Sequence, residues 1–288
     1  MNYTNSMNLP SALVDAIVND PYTKGDADIS VTQLIGPPKI RVLKTRHRDE
    51  ITEDVSDMVW AMVGNNTHYI IDRAAHKDSL QEERLSITVN GWKISGQADL
   101  YEKGVITDWK VTSVYSCLNG VKPEWLSQCN IYAHLFRESG FKVDKVQIIT
   151  ILRDWSKFGG QRSKNYPSKQ VVVHDVPLWS HPVAMNYIRD RVRAHQNAEV
   201  LSDDDIPSCT PEERWHKDDA WAVVKGTNKR ATRVLDSEEE AEKIKSVLEE
   251  KTGKEHRIDF REGEDVRCLN YCSCGPEFCN HYKTLVPF

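Results

Sequence analysis

Apolar residues recur along this chain with two periods, and the switches between them mark out the elements. Ile51, Val55, Met58, Val59, Met62 and Val63 are spaced i, i+4, i+7, i+8 and i+11, a helical stripe that predicts a helix over 49–63, broken at Gly64. Helices are also predicted near 10–19 and 31–36. A period of two takes over at Ile87-Thr88-Val89 and Trp92-Lys93-Ile94, and the Asn90-Gly91 pair between them is a strong signal for a type I′ hairpin. The run Val105-Ile106-Thr107-Asp108-Trp109-Lys110-Val111 reads as a strand, and a helix follows over 123–139, with Pro123 at its start and Gly140 past its end. Strands at 146–152 and 170–176 and a helix at 182–199 complete this part. Further on come strands at 221–224 and 231–235, a helix at 237–252 opened by Ser237 with Glu240 three residues later, and a strand at 256–260. The sum is an α/β chain with a mixed central sheet flanked by helices. Its expected divisions are a core at 1–200, a linker at 201–218 that contains Cys209, a small β-β-α-β insertion at 219–262 and a cysteine-rich segment at 263–288.

The chemistry concentrates between residues 96 and 132. Asp108 and Lys110 are two apart on their strand, so both side chains point to one face while Val105, Trp109 and Val111 interleave. The turn Glu102-Lys103-Gly104 then folds Asp99 back beside Asp108 on the neighbouring strand. Two carboxylates with a lysine alongside suit Mg²⁺ and a phosphate, because Mg²⁺ takes one or two carboxylates plus water and substrate oxygens. An edge strand could carry Asp108 and Lys110 as a solvated charge pair, but apolar neighbours on both sides argue for a buried central strand. An unpaired charge there costs several kcal/mol unless a partner or metal meets it. Gln128 and Tyr132 share a helix face at i, i+4, next to Leu126, Ile131 and Leu135.

Gly96-Gln97-Ala98-Asp99, a strand ending Asp108-Trp109-Lys110, and Gln128-Cys129-Asn130-Ile131-Tyr132, in that order, resemble the RecB-like branch of the PD-(D/E)XK nucleases. That branch has an upstream Gly-x-x-x-His, matched by Gly64-Asn65-Asn66-Thr67-His68. The resemblance covers roughly residues 28–180 and implies a restriction-endonuclease-like core. It also implies Asp99, Asp108 and His68 as metal ligands and Lys110 as the group that positions water or stabilises charge on the phosphate. Gln128 would order the site and Tyr132 contact the DNA strand. The implied activity is a Mg²⁺- or Mn²⁺-dependent deoxyribonuclease, an exonuclease working from DNA ends in phage or bacterial recombination, repair or degradation. A noncatalytic DNA-end-binding module and a structure- or site-specific endonuclease are the alternatives.

Cys268, Cys272, Cys274 and Cys279 lie within twelve residues of a chain that has seven cysteines in all. Without a recognisable secretory signal the thiols are expected to stay reduced, which favours metal over disulfides. Some RecB-like nucleases hold an iron-sulfur cluster with one remote and three clustered cysteines. This chain departs from that pattern, since the usual remote position falls near Gly36-Pro37-Pro38. The expected ligands are therefore Cys209, Cys268, Cys272 and Cys279, with Cys274 as the rival and Cys117 and Cys129 as packing residues. A [4Fe-4S] cluster is favoured over structural Zn²⁺ by the resemblance alone.

Composition changes the picture in one respect. At 288 residues, 39% hydrophobic and 28% charged, the chain can bury a full core, and no apolar run reaches the ~20 residues of a membrane helix. It is read as cytoplasmic, in the host cytoplasm if phage-encoded. A net charge of -5 opposes phosphate binding, so the distribution of charge matters. Positive charge gathers at Lys39, Arg41, Lys44, Arg46 and Arg48, and again at Arg153, Lys157, Arg162, Lys164 and Lys169, among Trp155, Phe158 and Tyr166. Gly159-Gly160 makes the second stretch a candidate mobile loop that tracks a strand, with Lys157, Arg162, Lys164 and Tyr166 as its DNA contacts. Expected partners are linear DNA, single- or double-stranded, with a single-strand annealing or recombination protein and a second copy of the chain as further candidates.

Overall fold

The computed structural model describes residues 1–19, 24–74, 79–81, 83–118, 120–162 and 165–286. The chain divides into two compact units, Met1–Ile206 and Pro207–Phe288, the boundary falling inside the stretch read as a linker.

The first unit opens with β1 (Asn2–Thr4), α1 (Ser11–Val18), β2 (Ile29–Ser30), α2 (Val31–Ile35) and α3 (Pro38–Arg46). Ser30 and Gln33 form a reciprocal capping box that starts α2. The sequence pattern misses α3, because lysines and arginines crowd its short apolar stripe of Val42 and Leu43. β3 (Thr52–Asp54) pairs in parallel with β1, and a 3₁₀ turn at Val55–Met58 leads into α4 (Val59–Asp72). The helix expected over 49–63 is therefore displaced. Asp54 accepts hydrogen bonds from the Ser56 backbone N–H and hydroxyl, which holds 52–58 out of the helix. Gly64 does not break α4, because the helix runs through it for two more turns.

After β4 (Leu80–Gln81) comes the hairpin of β5 (Arg84–Val89) and β6 (Trp92–Gln97), with Asn90 and Gly91 both at positive φ as a type I′ turn requires. β7 (Leu100–Glu102) and β8 (Val105–Thr112) form a second tight hairpin. α5 (Pro123–Glu138), β9 (Lys145–Leu152), α6 (Lys157–Arg162), β10 (Val171–Val176) and α7 (His181–Val200) follow.

The main sheet has the order β10-β9-β8-β7-β4, and β8 and β9, its central pair, run parallel. A three-stranded sheet, β2-β6-β5, lies beside it. Ile106, Asp108, Val146, Ile148 and Thr150 line one face of the β8-β9 pair and are all buried, in one core with Ile131, Leu135 and Phe136 of α5. The opposite face carries a groove of about 450 Å³ whose walls include Val105, Trp109, Gln147 and Ile149.

In the second unit, α8 (Pro211–Arg214) starts on a Thr210–Glu213 capping box, and β11 (His216–Lys217) follows. β12 (Ala220–Lys225), β13 (Arg233–Leu235), α9 (Glu238–Thr252) and β14 (His256–Arg261) build an antiparallel sheet of order β13-β12-β14 with one helix. Ser237 caps α9 by accepting from the Glu240 N–H. β15 (Glu264–Asp265) pairs with β11, and α10 (Val266–Asn270), α11 (Gly275–Phe278) and α12 (Asn280–Leu285) finish the unit.

Candidate active site

The pairing of β7 with β8 stops at Thr107, and beyond it side chains hold the Trp109 peptide. Asp99 Oδ2 accepts from the Trp109 N–H at 2.7 Å, and His68 Nε2 lies 3.1 Å from the Trp109 carbonyl. One unpaired stretch of strand edge thus positions two candidate ligands from different elements. With Nε2–H donated to that carbonyl, a neutral His68 turns its Nδ1 lone pair toward Asp99 Oδ1, 3.3 Å away. Two lone pairs at that distance need a cation between them. The hydrogen bond to Asp99 raises the His68 pKa against the opposing effect of burial, which is the same demand met by a proton.

Asp108 is 1% exposed. Lys110 Nζ forms an ion pair with its buried Oδ2 at 2.7 Å. Burial pushes the Asp108 carboxyl up to about 6, with Asp99 adding to the shift and Lys110 opposing it. For Lys110, burial pulls the ammonium down, but Asp108 and Asp99 outweigh it and the net direction is up. Two carboxylates and an imidazole nitrogen fit a hard divalent cation, with the lysine left to face an anion.

α5 closes the floor. Gly96 on β6 is the close approach that seats it: a Cβ there would lie 2.7 Å from Leu135 Cδ1 and Val31 Cγ2 and 2.9 Å from Tyr132 Cε1. The Tyr132 hydroxyl accepts from Gln128 Nε2 at 2.9 Å, and the phenol is only 5% exposed. The expectation that Tyr132 contacts a DNA strand is revised accordingly: its ring is packed against the sheet, and with Gln128 it positions α5. Cys129 is fully buried, and burial followed by the Asp108 charge keeps its thiol protonated, as a packing residue should be.

Four of the five cations of the first basic stretch are spent internally, and Arg48 is exposed. Lys39 is buried with Nζ on the Ile206 carbonyl, Arg41 bonds His195 and Glu199, Lys44 pairs with Glu53, and Arg46 pairs with Asp203. In the second stretch Gly159 and Gly160 sit inside α6, so they form no hinge. Tyr166 lies with its ring against Gly159 and its hydroxyl accepting from the Ser156 N–H, bracing the loop from within. Lys157 is exposed on α6, while Lys164 and the Arg162 side chain lie outside the described residues. Sequence reasoning missed Trp60 and Tyr69 on α4 and Tyr115 just past β8, which are exposed aromatics like Phe158 on α6. Arg153 stacks over Trp60 at 4.2 Å from its centroid. Tyr115 and Phe158 follow the C-terminal ends of the parallel strands β8 and β9, where ligands of such sheets bind.

In the second unit the Cys209 thiol is pushed up to about 12, by burial first and then by Glu213 and by Cys272, Cys279 and Cys268, which places these four cysteines in one neighbourhood. Cys268 is raised to about 11 by burial, Asp265, Cys272 and Cys279. Cys274 is fully buried at the start of α11. Beside them, and unforeseen, is Asp265, buried and paired with Arg214, His216 and His281 at 2.7 to 2.9 Å. One ligand atom each from Asp265, Cys268 and His281 fall within 4.8 Å of one another, so thiolate-only ligation has a mixed rival.

No family model matches the chain, and no curated protein matches it. Among solved structures it is similar to the protein SSO0001, with 16% identity and a TM-score of 0.44 over 63% of this chain and 83% of that one. It is also similar to a candidate exonuclease from Eubacterium rectale, with 14% identity and a TM-score of 0.32 over 55% of this chain and 62% of that one. Likeness at that level carries no argument about chemistry. Among the described residues, no helix is long and apolar enough to cross a membrane.

Proposed function

We propose that this chain is a metal-dependent deoxyribonuclease of the RecB-like kind, acting on DNA ends. The observation that carries the reading is the grouping of four polar side chains, with His68 against Asp99 and the buried Asp108 ion-paired to Lys110. Asp99, Asp108 and His68 would hold Mg²⁺ or Mn²⁺, which polarises a phosphate oxygen and lowers the pKa of a bound water. Lys110 supplies the positive charge that the phosphate meets as negative charge grows on it. Trp60, Tyr115 and Phe158 offer stacking faces to unpaired bases, in place of the loop tyrosine. In the second unit, Cys209, Cys268, Cys272 and Cys279 would hold a [4Fe-4S] cluster or zinc. An intact set of four polar groups favours catalysis over a purely DNA-binding role.

The test incubates end-labelled linear and closed circular DNA with wild type and Asp108→Ala, with and without Mn²⁺. Mn²⁺-dependent loss of linear DNA that is absent in Asp108→Ala, with circular DNA spared, supports the reading. Equal cleavage by the variant refutes the site, and cleavage of the circle refutes the requirement for ends.

A further inference from the structure

α5 carries a second set of metal-competent side chains beyond Tyr132. His134 and Glu138 are four apart and share a helix face, and His181, the first residue of α7, joins them. One ligand atom from each of the three lies within 4.8 Å of the other two. His181 Nε2 is 3.0 Å from Glu138 Oε1, and the two imidazole centroids are 4.9 Å apart. His134 is 1% exposed, and its Nε2 is buried with no hydrogen-bond partner. An unsatisfied buried nitrogen costs roughly 1–3 kcal/mol.

We infer that His134, Glu138 and His181 form a site for a Zn²⁺-class divalent transition metal, separate from the Asp99–Asp108 centre, that fastens α5 to α7. Two imidazoles with one carboxylate suit zinc, whereas Mg²⁺ prefers an all-oxygen shell. Around a tetrahedral zinc with bonds of about 2.0–2.2 Å, donor atoms sit roughly 3.3 Å apart. The Glu138 and His181 side chains are 40% and 58% exposed, which leaves them room to close to that spacing. Arg137, the neighbouring cation, is directed to the Trp179 and Val143 carbonyls. Fastening this end of α5 steadies the helix whose other half presents Gln128 and Tyr132 to the candidate active site.

Full-length wild type, His181→Ala and Glu138→Gln are stripped with chelator, dialysed against Zn²⁺ and assayed for bound zinc and thermal midpoint. Zinc held by the cysteines or the carboxylates is common to all three and cancels in the comparison. Wild type should bind one zinc more per chain than either variant and show a larger Zn²⁺-induced rise in Tm than either. Both substitutions are at exposed positions, so folding is retained. Equal zinc content in all three proteins overturns the site, as does a Zn²⁺-induced rise in Tm as large in both variants as in wild type.

Discussion

Two glycines within the nuclease-like motifs should respond in opposite directions to the same substitution. At Gly96 an added methyl group meets Leu135, Val31 and Tyr132 at 2.7 to 2.9 Å, closer than carbon atoms pack without moving something. Leu135 and Val31 are fully buried and Tyr132 is fixed by Gln128, so none can give way cheaply. Overpacking of this kind costs about 1–3 kcal/mol. For a unit of this size that is a fall in Tm on the order of 2–12 °C. Gly64 lies in the interior of α4, and a Cβ there meets nothing within 4 Å. Alanine should stabilise that helix by about 0.5–1 kcal/mol, through the lower backbone entropy of the unfolded chain. The assay is thermal unfolding of wild type, Gly96→Ala and Gly64→Ala by circular dichroism, with nuclease activity measured in parallel. Gly96→Ala should lose turnover as well as stability, because the displaced α5 carries Tyr132 away from Asp108. A Gly96→Ala protein that melts with wild type, or a Gly64→Ala protein that loses as much, refutes the packing argument.

Three further outcomes follow from the sites. Lys110→Ala should leave DNA binding nearly unchanged and slow turnover by a factor on the order of 10² or more, since the ammonium acts mainly on charge that develops in the transition state; equal losses in binding and rate would mark it as a plain phosphate contact. Cys209→Ser should lose iron or zinc and melt earlier while Cys274→Ser keeps its metal, as read by elemental analysis after anaerobic purification; the reverse result would place the ligands within the C-terminal cluster alone. His195 is fully buried, accepting from Arg41 Nε and with Nε2 on the Leu34 carbonyl, and burial pushes its pKa down to about 4. The unfolded chain therefore binds the extra proton between pH 6.5 and 4, and stability falls as pH drops through that window, by up to about 3 kcal/mol, with no contribution above it. His195→Gln should flatten this slope in urea midpoints measured between pH 7 and 5, and an unchanged slope would disprove the assignment.

The sequence was readable where side-chain period and turn chemistry act locally. Asn90-Gly91 and Lys103-Gly104 take the positive φ angles their hairpins need, and Ser237 caps its helix as its spacing to Glu240 implies. Asp99 comes to Asp108 because a two-residue turn leaves the chain no other register. The failures share a cause, which is side chains whose use is decided by distant partners. Lys39, Arg41 and Arg46 look like part of a nucleic-acid patch in one dimension, but their partners at 195–206 lie far along the chain, and Lys44 is taken by Glu53 across a turn. Gly64 looks like a helix end because glycine often is one, yet the start was set by Asp54 and the helix extended past it. Tyr166 and Tyr132 look like stacking residues, and it is their packing against Gly159 and Gly96 that decides otherwise. Asp265 gave no local signal at all, since its three partners, Arg214, His216 and His281, come from α8, β11 and α12.

The electrostatics of the candidate active site explain why its surroundings must be so apolar and so well packed. Raising the Asp108 pKa from the ordinary 3.8 to about 6 corresponds to about 3 kcal/mol against its charged form at neutral pH. That net penalty already includes the opposing effect of Lys110. Ile106, Ile148, Cys129 and Tyr132, all buried, keep the surroundings of Asp108 apolar, and Asp99 and His68 hold the Trp109 peptide at the strand edge. A divalent cation at the proposed centre would reverse the sign, converting a carboxylate that burial penalises into one that burial strengthens, because the same low dielectric would magnify its attraction to the metal. The stability lost in burying Asp108 would then become affinity for the cation, and this unit's folding free energy would depend on the occupancy of the centre.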